Sequence, residues 1–138
     1  MEKQSCIFCR IARKEAPASI VYEDEEILVF MDTRPVTEGH TLIIPKKHYE
    51  NIFDISAELN AKVYKIVKRV SLAVRKATKA DGISIIQQNG RAAGQEVFHL
   101  HVHVIPRYEG QKLPRFGENP NTSRAELDRI STQIKLHL

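Results

Sequence analysis

Three histidines alternate with apolar residues in the last third of this chain, and this pattern constrains the fold more than any other feature. The run reads His99-Leu100-His101-Val102-His103-Val104-Ile105. Successive side chains of a β-strand point to opposite faces. The alternation therefore predicts a strand over residues 98–105, with the imidazoles on one face and Leu100, Val102 and Val104 in the core. An apolar strand needs no histidine for packing, so three of them indicate a chemical role.

Two kinds of chemistry are compatible with the histidine strand. Two histidines separated by one residue can ligate a catalytic zinc, with a third ligand from elsewhere. Alternatively, one imidazole attacks phosphorus while its neighbours orient and protonate. The preceding segment Asn89-Gly90-Arg91-Ala92-Ala93-Gly94-Gln95 favours the second interpretation, because its glycines let backbone N–H groups approach an anion. The loop and the strand together predict a phosphorylated substrate.

On these residues the chain resembles the histidine triad (HIT) family of nucleotide-binding proteins. The family motif is His-φ-His-φ-His-φ-φ, where φ is apolar, and residues 99–105 match it in full. Three other segments are also similar to the family: AGQEV at 93–97, FMDTRP at 30–35 and GHTLIIPKKH at 39–48. The combination is far more specific than a glycine-rich loop alone.

The hydrophobic pattern and the resemblance agree on an α+β fold, a five-stranded antiparallel sheet with one long helix and a C-terminal helix. The long helix is predicted from the N-cap Ser56 to the stop at Asp81-Gly82, and the last one begins at the capping box Ser123-Arg124-Ala125-Glu126. Strands are predicted over 20–22, 27–31, 41–44, 83–87 and 98–105, and a short helix over 7–13. The resemblance implies one domain over 1–138, with its core in 6–107 and a variable tail in 108–138.

Length and composition agree with a globular domain that binds an anion. A chain of 138 residues can bury a core, and its net charge of +4 suits an anionic ligand. No apolar stretch is long enough to span a membrane, and the N-terminus leads into no apolar signal region, so we expect a cytoplasmic protein. The basic residues of the long helix indicate a solvated face rather than a nucleic-acid surface.

The segment Cys6-Ile7-Phe8-Cys9 contains the only two cysteines of the chain. Such a pair is compatible with a redox site, a metal site or two thiols without a role. The thioredoxin-type interpretation needs a parallel α/β context that the sequence does not supply. A zinc site needs two more ligands, for which His48 and His99 are candidates. The resemblance to bacterial HIT proteins implies this set, with one structural zinc per chain and His99 as a ligand rather than a catalyst.

The resemblance also implies roles for individual residues of a nucleotide site. His101, the central histidine, is the expected nucleophile, while His103 assists the leaving group and His40 orients the triad from behind. Asp32 matches the acid that hydrogen-bonds the ribose hydroxyls. The other implied contacts are an apolar wall around the base, Ile7, Phe8, Ile11, Phe30 and Leu42, and phosphate contacts from Asn89, Gln95 and the backbone of Glu96 and Val97.

Residue 96 departs from the family pattern. Several phosphoramidase members carry Ser or Thr shortly before the triad, where this chain has Glu96. An ionised carboxylate cannot donate a hydrogen bond to phosphate, and it repels phosphate if it points inward. The departure calls a phosphoramidate preference into question.

These features predict a hydrolase that releases a nucleoside 5′-monophosphate, with AMP as the expected nucleotide, from a substituent on its α-phosphate through a nucleotidyl-histidine intermediate. Related transferases replace the third histidine by glutamine, so His103 favours hydrolysis. The alternatives are a dinucleoside polyphosphate hydrolase, a metallohydrolase with zinc on the triad, and a nucleotide-binding interaction protein with vestigial turnover. The resemblance implies a homodimer that binds a purine nucleotide or a nucleotide conjugate.

Overall fold

The computed structural model describes residues 5–112, 116 and 119–138, which form three α-helices and five strands. In chain order these are α1 (Ile7–Ala12), β1 (Ile20–Glu23), β2 (Ile27–Met31), β3 (Thr41–Pro45), α2 (Ala57–Thr78), β4 (Gly82–Gln87), β5 (Val102–Arg107) and α3 (Arg124–Lys135), with a 3-10 turn at Arg91–Ala93. The predicted domain and its tail also include residues 1–4, 113–115 and 117–118, which lie outside the described residues.

The five strands form one antiparallel sheet in the order β1-β2-β3-β5-β4. Strand β5 follows β4 in sequence but lies between β3 and β4, so the histidine segment leads into the interior of the sheet and not onto an edge strand. The predicted α+β fold, with a five-stranded antiparallel sheet, a long helix and a C-terminal helix, is confirmed.

Helices α2 and α3 cover one face of the sheet and form the main core with it. The core side chains from the helices include Val63, Val67, Val70, Val74, Leu127, Ile130 and Ile134. Leu100, Val102 and Val104 face this core, as the alternation predicts. A smaller apolar cluster on the opposite face joins α1 to β2 and β3. The histidines are therefore directed to the face that α2 and α3 leave open.

Local sequence signals define the ends of both long helices. The Ser56 hydroxyl accepts a hydrogen bond from the backbone N–H of Leu59 at 3.2 Å, and α2 ends where Lys79 adopts a left-handed conformation with φ of 56°. The Ser123 hydroxyl caps α3 by accepting from the N–H of Glu126 at 3.2 Å. None of the helices formed by the described residues has the length and apolar character needed to cross a bilayer.

The histidine strand begins later than the sequence predicts, at Val102 instead of residue 98. Its pairing with β3 extends no further than Val102 opposite Ile43, so Pro45 would stand opposite Leu100. Proline has no N–H to donate to the ladder. The N–H of Leu100 instead donates to the carbonyl of Tyr49 at 2.7 Å. His99 and His101 thus precede the strand, although the alternation of faces persists.

Candidate functional site

The open face of the sheet carries a cleft of about 950 Å³. Its volume lies within the usual range of small-molecule sites. Strand register places Phe30, Leu42, His103 and Ile86 in one row across its floor. Other predicted site residues that line the cleft are Ile7, Phe8, Asp32, Glu96, Val97 and His101. The lining thus combines apolar side chains with histidines, a combination that suits a base joined to a phosphate.

The ring of His101 is held in one tautomer by the backbone. Its Nδ1 lies 2.7 Å from the carbonyl oxygen of His99, and a carbonyl can only accept, so the proton is on Nδ1. The lone pair is therefore on Nε2. Burial lowers the pKa of His101, which keeps the ring neutral near pH 7. Phe8 packs edge-on against this ring, with the centroids 5.1 Å apart. The arrangement supplies a neutral imidazole with a free lone pair at the cleft.

A second chain of hydrogen bonds fixes His40 and His103. The backbone N–H of Val36 donates to Nδ1 of His40 at 3.0 Å, so the His40 proton is on Nε2. That atom lies 2.9 Å from Nδ1 of His103, which accepts the hydrogen bond, so the His103 proton is on Nε2. Burial lowers the pKa of each of the two rings to about 3. His103 is thus a neutral residue with an N–H donor.

Asp32 stabilises a turn and also lines the cleft. One carboxylate oxygen accepts from the N–H of Arg34 at 2.8 Å, as in an Asx turn, and the other lies 3.4 Å from Nε2 of His40. Burial raises the pKa of this carboxyl to about 6, so it is largely ionised at pH 7. The structure thus brings Asp32 to the ring that positions His103.

Cys6, Cys9, His48 and His99 converge beside the cleft, with all their ligand atoms within 4.8 Å of one another. The Sγ of Cys6 lies 3.4 Å from Nδ1 of His99, and the Sγ of Cys9 lies 3.3 Å from Nδ1 of His48 and 3.5 Å from Nδ1 of His99. Zn–S bonds of about 2.3 Å and Zn–N bonds of about 2.0–2.1 Å give S–N edges of about 3.5 Å in a tetrahedron. The four residues therefore fit a tetrahedral zinc.

The remaining nitrogen of His99 completes this arrangement. Its Nε2 lies 2.8 Å from the carbonyl oxygen of Pro45, so Nε2 carries the proton and Nδ1 presents its lone pair to the cysteines. Protein ligands of metals commonly have this kind of supporting hydrogen bond. Asp32, His40 and His103 also come close enough for a metal. In that cluster the two ring nitrogens hydrogen-bond each other, so the first cluster is the better metal site.

The loop before the histidines uses its polar side chains to hold its own shape. The side-chain oxygen of Gln95 accepts from the N–H of Gly90 at 2.8 Å, and its nitrogen donates to the carbonyl of Glu50 at 2.6 Å. The Asn89 oxygen accepts from the N–H of Ile52 at 2.9 Å. Neither side chain lines the cleft, and their predicted phosphate contacts stay a prediction. Gly94 has φ of +94°, a conformation that strains other residues, and an added Cβ would lie 2.5 Å from the side-chain nitrogen of Gln88, which would have to move.

The cleft also contains residues that the sequence analysis does not single out. Arg34, Arg107 and Arg124 line it, and the Phe116 ring lies 4.5 Å from the His103 ring at 36°. Nothing in the sequence around Phe116 indicates this contact. For Arg107 a signal exists, because it is four residues after His103 and so continues the same face of the strand.

Comparison with known proteins identifies the family of this chain. The HIT domain model matches residues 13–110. A HIT-like protein from Bartonella henselae is 39% identical, with a TM-score of 0.91 over 100% of both chains. A zinc-bound histidine triad family protein from Mycobacterium smegmatis is 38% identical, with a TM-score of 0.85 over 96% of this chain and 92% of that one. The adenylylsulfatase HINT3 of Arabidopsis thaliana is 42% identical over 132 residues, which are 96% of this chain and 66% of that protein. The chain therefore belongs to the HIT family.

Proposed function

We propose that this protein is a nucleotide hydrolase that releases a nucleoside 5′-monophosphate, with AMP as the expected nucleotide, from a substituent on the α-phosphate. The observation that carries the proposal is the tautomer of His101. Its Nδ1–H is anchored on the carbonyl of His99 at 2.7 Å, so Nε2 has its lone pair available at the cleft. A neutral imidazole in this state is a nucleophile for phosphorus. The adenylylsulfatase among the relatives supports hydrolysis.

The reaction has two displacement steps. Nε2 of His101 attacks the α-phosphorus, and the bond from phosphorus to the leaving group breaks with its electron pair on the leaving group. The carbonyl of His99 stabilises the positive charge on the phosphorylated ring through Nδ1–H. Water then bonds to phosphorus, the P–Nε2 bond breaks, its pair returns to Nε2, and one water proton passes to solvent. Nε2–H of His103 stabilises the phosphoryl oxygens or the leaving group as charge develops.

The rest of the cleft supports a purine nucleotide. Phe8, Phe30 and Leu42 provide an apolar wall against which a base can be buried. Asp32 also lines the cleft and offers a carboxylate acceptor for ribose hydroxyls. The cleft thus offers the kinds of groups that suit a base, a ribose and a phosphate.

We also propose one structural zinc per chain, bound by Cys6, Cys9, His48 and His99. The S–N edges of 3.3–3.5 Å and the zinc-bound relative support it. When bound, zinc supplies a cross-link between α1 and the histidine segment. His99 then serves as a ligand, which leaves His101 and His103 for the chemistry.

The proposed assembly is a homodimer that joins α2 and β4 across a two-fold axis. Strand β4 is an edge of the sheet, and its Ile85 is 49% exposed while Leu72 of α2 is 53% exposed. An open apolar edge of this kind is usually covered. Light scattering at micromolar concentration measures the mass directly, and a monomer would contradict the dimer.

A hydrolysis panel with rapid quenching tests the enzyme against the alternative of a nucleotide-binding protein with vestigial turnover. The panel contains an adenosine phosphoramidate, a dinucleoside polyphosphate and adenylyl sulfate, each labelled in the adenylyl group. We expect the label on a peptide that contains His101. His101→Gly should lower turnover by about 10³-fold or more while AMP binding persists. His137→Asn, at an exposed position, is the control. Label on another residue, or near-normal turnover of His101→Gly, would refute the mechanism.

A further inference from the structure

Beyond His103 the cleft contains a cation that the hydrolysis mechanism does not use. Arg107 is half-buried on β5 and lines the cleft. Its Nη1 donates to the Ser84 hydroxyl on the neighbouring strand β4 at 2.8 Å. This hydrogen bond holds the guanidinium against the floor of the cleft instead of leaving it in solvent.

The guanidinium of Arg107 has no carboxylate partner among the described residues. The ion pairs among the described residues involve other cations. The side-chain group that Arg107 contacts there is the hydroxyl of Ser84. A partly buried cation is usually paired or hydrogen-bonded to an anion. Guanidinium groups are suited to two-point binding of phosphate and related oxyanions.

Strand register gives the distance of this charge from the reacting centre. Ser84 pairs with Ile105, and Ile86 pairs with His103, so the guanidinium lies one row of side chains beyond the triad. Two residues of antiparallel strand span about 7 Å. A phosphate or sulfate joined to the α-phosphate by one bridging oxygen would lie between the row of His103 and the guanidinium of Arg107.

The protonation state of His103 indicates the same class of leaving group. Its Nδ1 accepts a hydrogen bond from Nε2–H of His40, and burial lowers the pKa of the ring to about 3, which keeps it neutral. A neutral ring that gave up its Nε2 proton would become an imidazolate, so His103 is a hydrogen-bond donor rather than a source of protons. Phosphate and sulfate depart as stable anions and need no proton, whereas an amine must gain one.

We propose that the cleft beyond His103 is a subsite for an anionic leaving group, a phosphate or sulfate joined to the α-phosphate, and that Arg107 is its specificity-determining residue. The inference rests on the proposed function and narrows it to substrates whose substituent carries negative charge. Ser84 is a positioning residue, since it acts on the ligand through the guanidinium.

A binding comparison tests the subsite without turnover. AMP is compared with its α,β-methylene diphosphate analogue, which adds one phosphate that cannot be hydrolysed. Arg107→Gln should weaken binding of the analogue by about 10- to 100-fold and change AMP binding by less than about 2-fold. Lys135→Gln, which removes the same charge from the exposed surface of α3, should change neither. Equal weakening of both ligands by Arg107→Gln, or no weakening, would overturn the subsite.

Turnover separates the two anion sources and isolates the proposed function. Adenylyl sulfate and ADP present sulfate and phosphate, and an adenosine phosphoramidate with a neutral amine is the reference. Arg107→Gln should lower kcat/KM for one or both anionic substrates by about 10- to 100-fold, with the reference within about 3-fold. A loss on one anion identifies it as the ligand, and equal loss on all three overturns the inference. If the wild-type protein hydrolyses none of the three substrates, the proposed function is refuted. The binding comparison then still tests whether Arg107 binds an anionic substituent.

Discussion

Replacement of His40 by asparagine should make the protein less sensitive to acid. His40 is 0% exposed, and burial lowers its pKa from 6.5 to about 3. The folded state therefore binds fewer protons than the unfolded state between these values, and stability falls as the pH falls. Asparagine does not titrate, and its side-chain oxygen can replace Nδ1 as the acceptor for the N–H of Val36.

The size of the effect follows from the pKa difference. Between pH 6.5 and 4.5 unfolded His40 gains a proton that the folded protein, with a pKa of about 3, does not take up. One proton corresponds to about 1.4 kcal/mol per pH unit, so wild type should lose about 2 kcal/mol more than His40→Asn over this interval. Asp32, with a pKa of about 6, and His103, with a pKa of about 3, face His40 and also titrate. Both residues are present in wild type and in His40→Asn.

Urea unfolding at pH 6.5, 5.5 and 4.5, followed by circular dichroism in the presence of a metal chelator, measures the difference. The chelator removes the pH dependence of metal binding. His137→Asn, which makes the same substitution at an exposed position, is the matched control. If His40→Asn loses stability as steeply as wild type, His40 is not held neutral in the folded protein. The proton assignment of His103 would then fail with it.

Two further predictions concern the metal and the ribose. Wild-type protein purified without chelator should contain one zinc per chain by atomic spectroscopy, and Cys9→Ser should lose it and unfold at a lower temperature; metal-free wild type would contradict the site. Asp32→Ala should weaken binding of AMP by about 1.5–3 kcal/mol while its 2′,3′-dideoxy analogue is little affected, because only AMP loses a hydrogen bond to a charged acceptor. Equal weakening in calorimetric titrations would make Asp32 a turn residue only.

The sequence alone determined the features that depend on short-range periodicity. Alternation placed Leu100, Val102 and Val104 in the core and directed the histidines to the other face. Ser56 and Ser123 defined the starts of their helices, because a cap needs only its own next three residues. These features are local and repeat with the period of a strand or a helix, so they can be recognised without the fold.

The tertiary structure decided which partners meet across long distances in the chain. The order β3-β5-β4 depends on register between segments far apart in the chain. So does the end of the β3–β5 ladder at the pair Ile43 and Val102, which moved the strand start to Val102. The hydrogen bond from His40 to His103, which fixes the proton on Nε2, joins residues 63 positions apart.

Contacts at the leaving-group end of the cleft also could not be predicted from the sequence. Alternation can place Arg107 on the face of His103, but it cannot show that the guanidinium contacts Ser84 and pairs with no carboxylate of the described residues. Phe116 lies against His103 through a contact that no period encodes. The sequence determines which groups share a face of a strand or a helix. Proton positions and unpaired charges instead depend on which residues are neighbours in space, and these neighbours meet only when the sheet has formed.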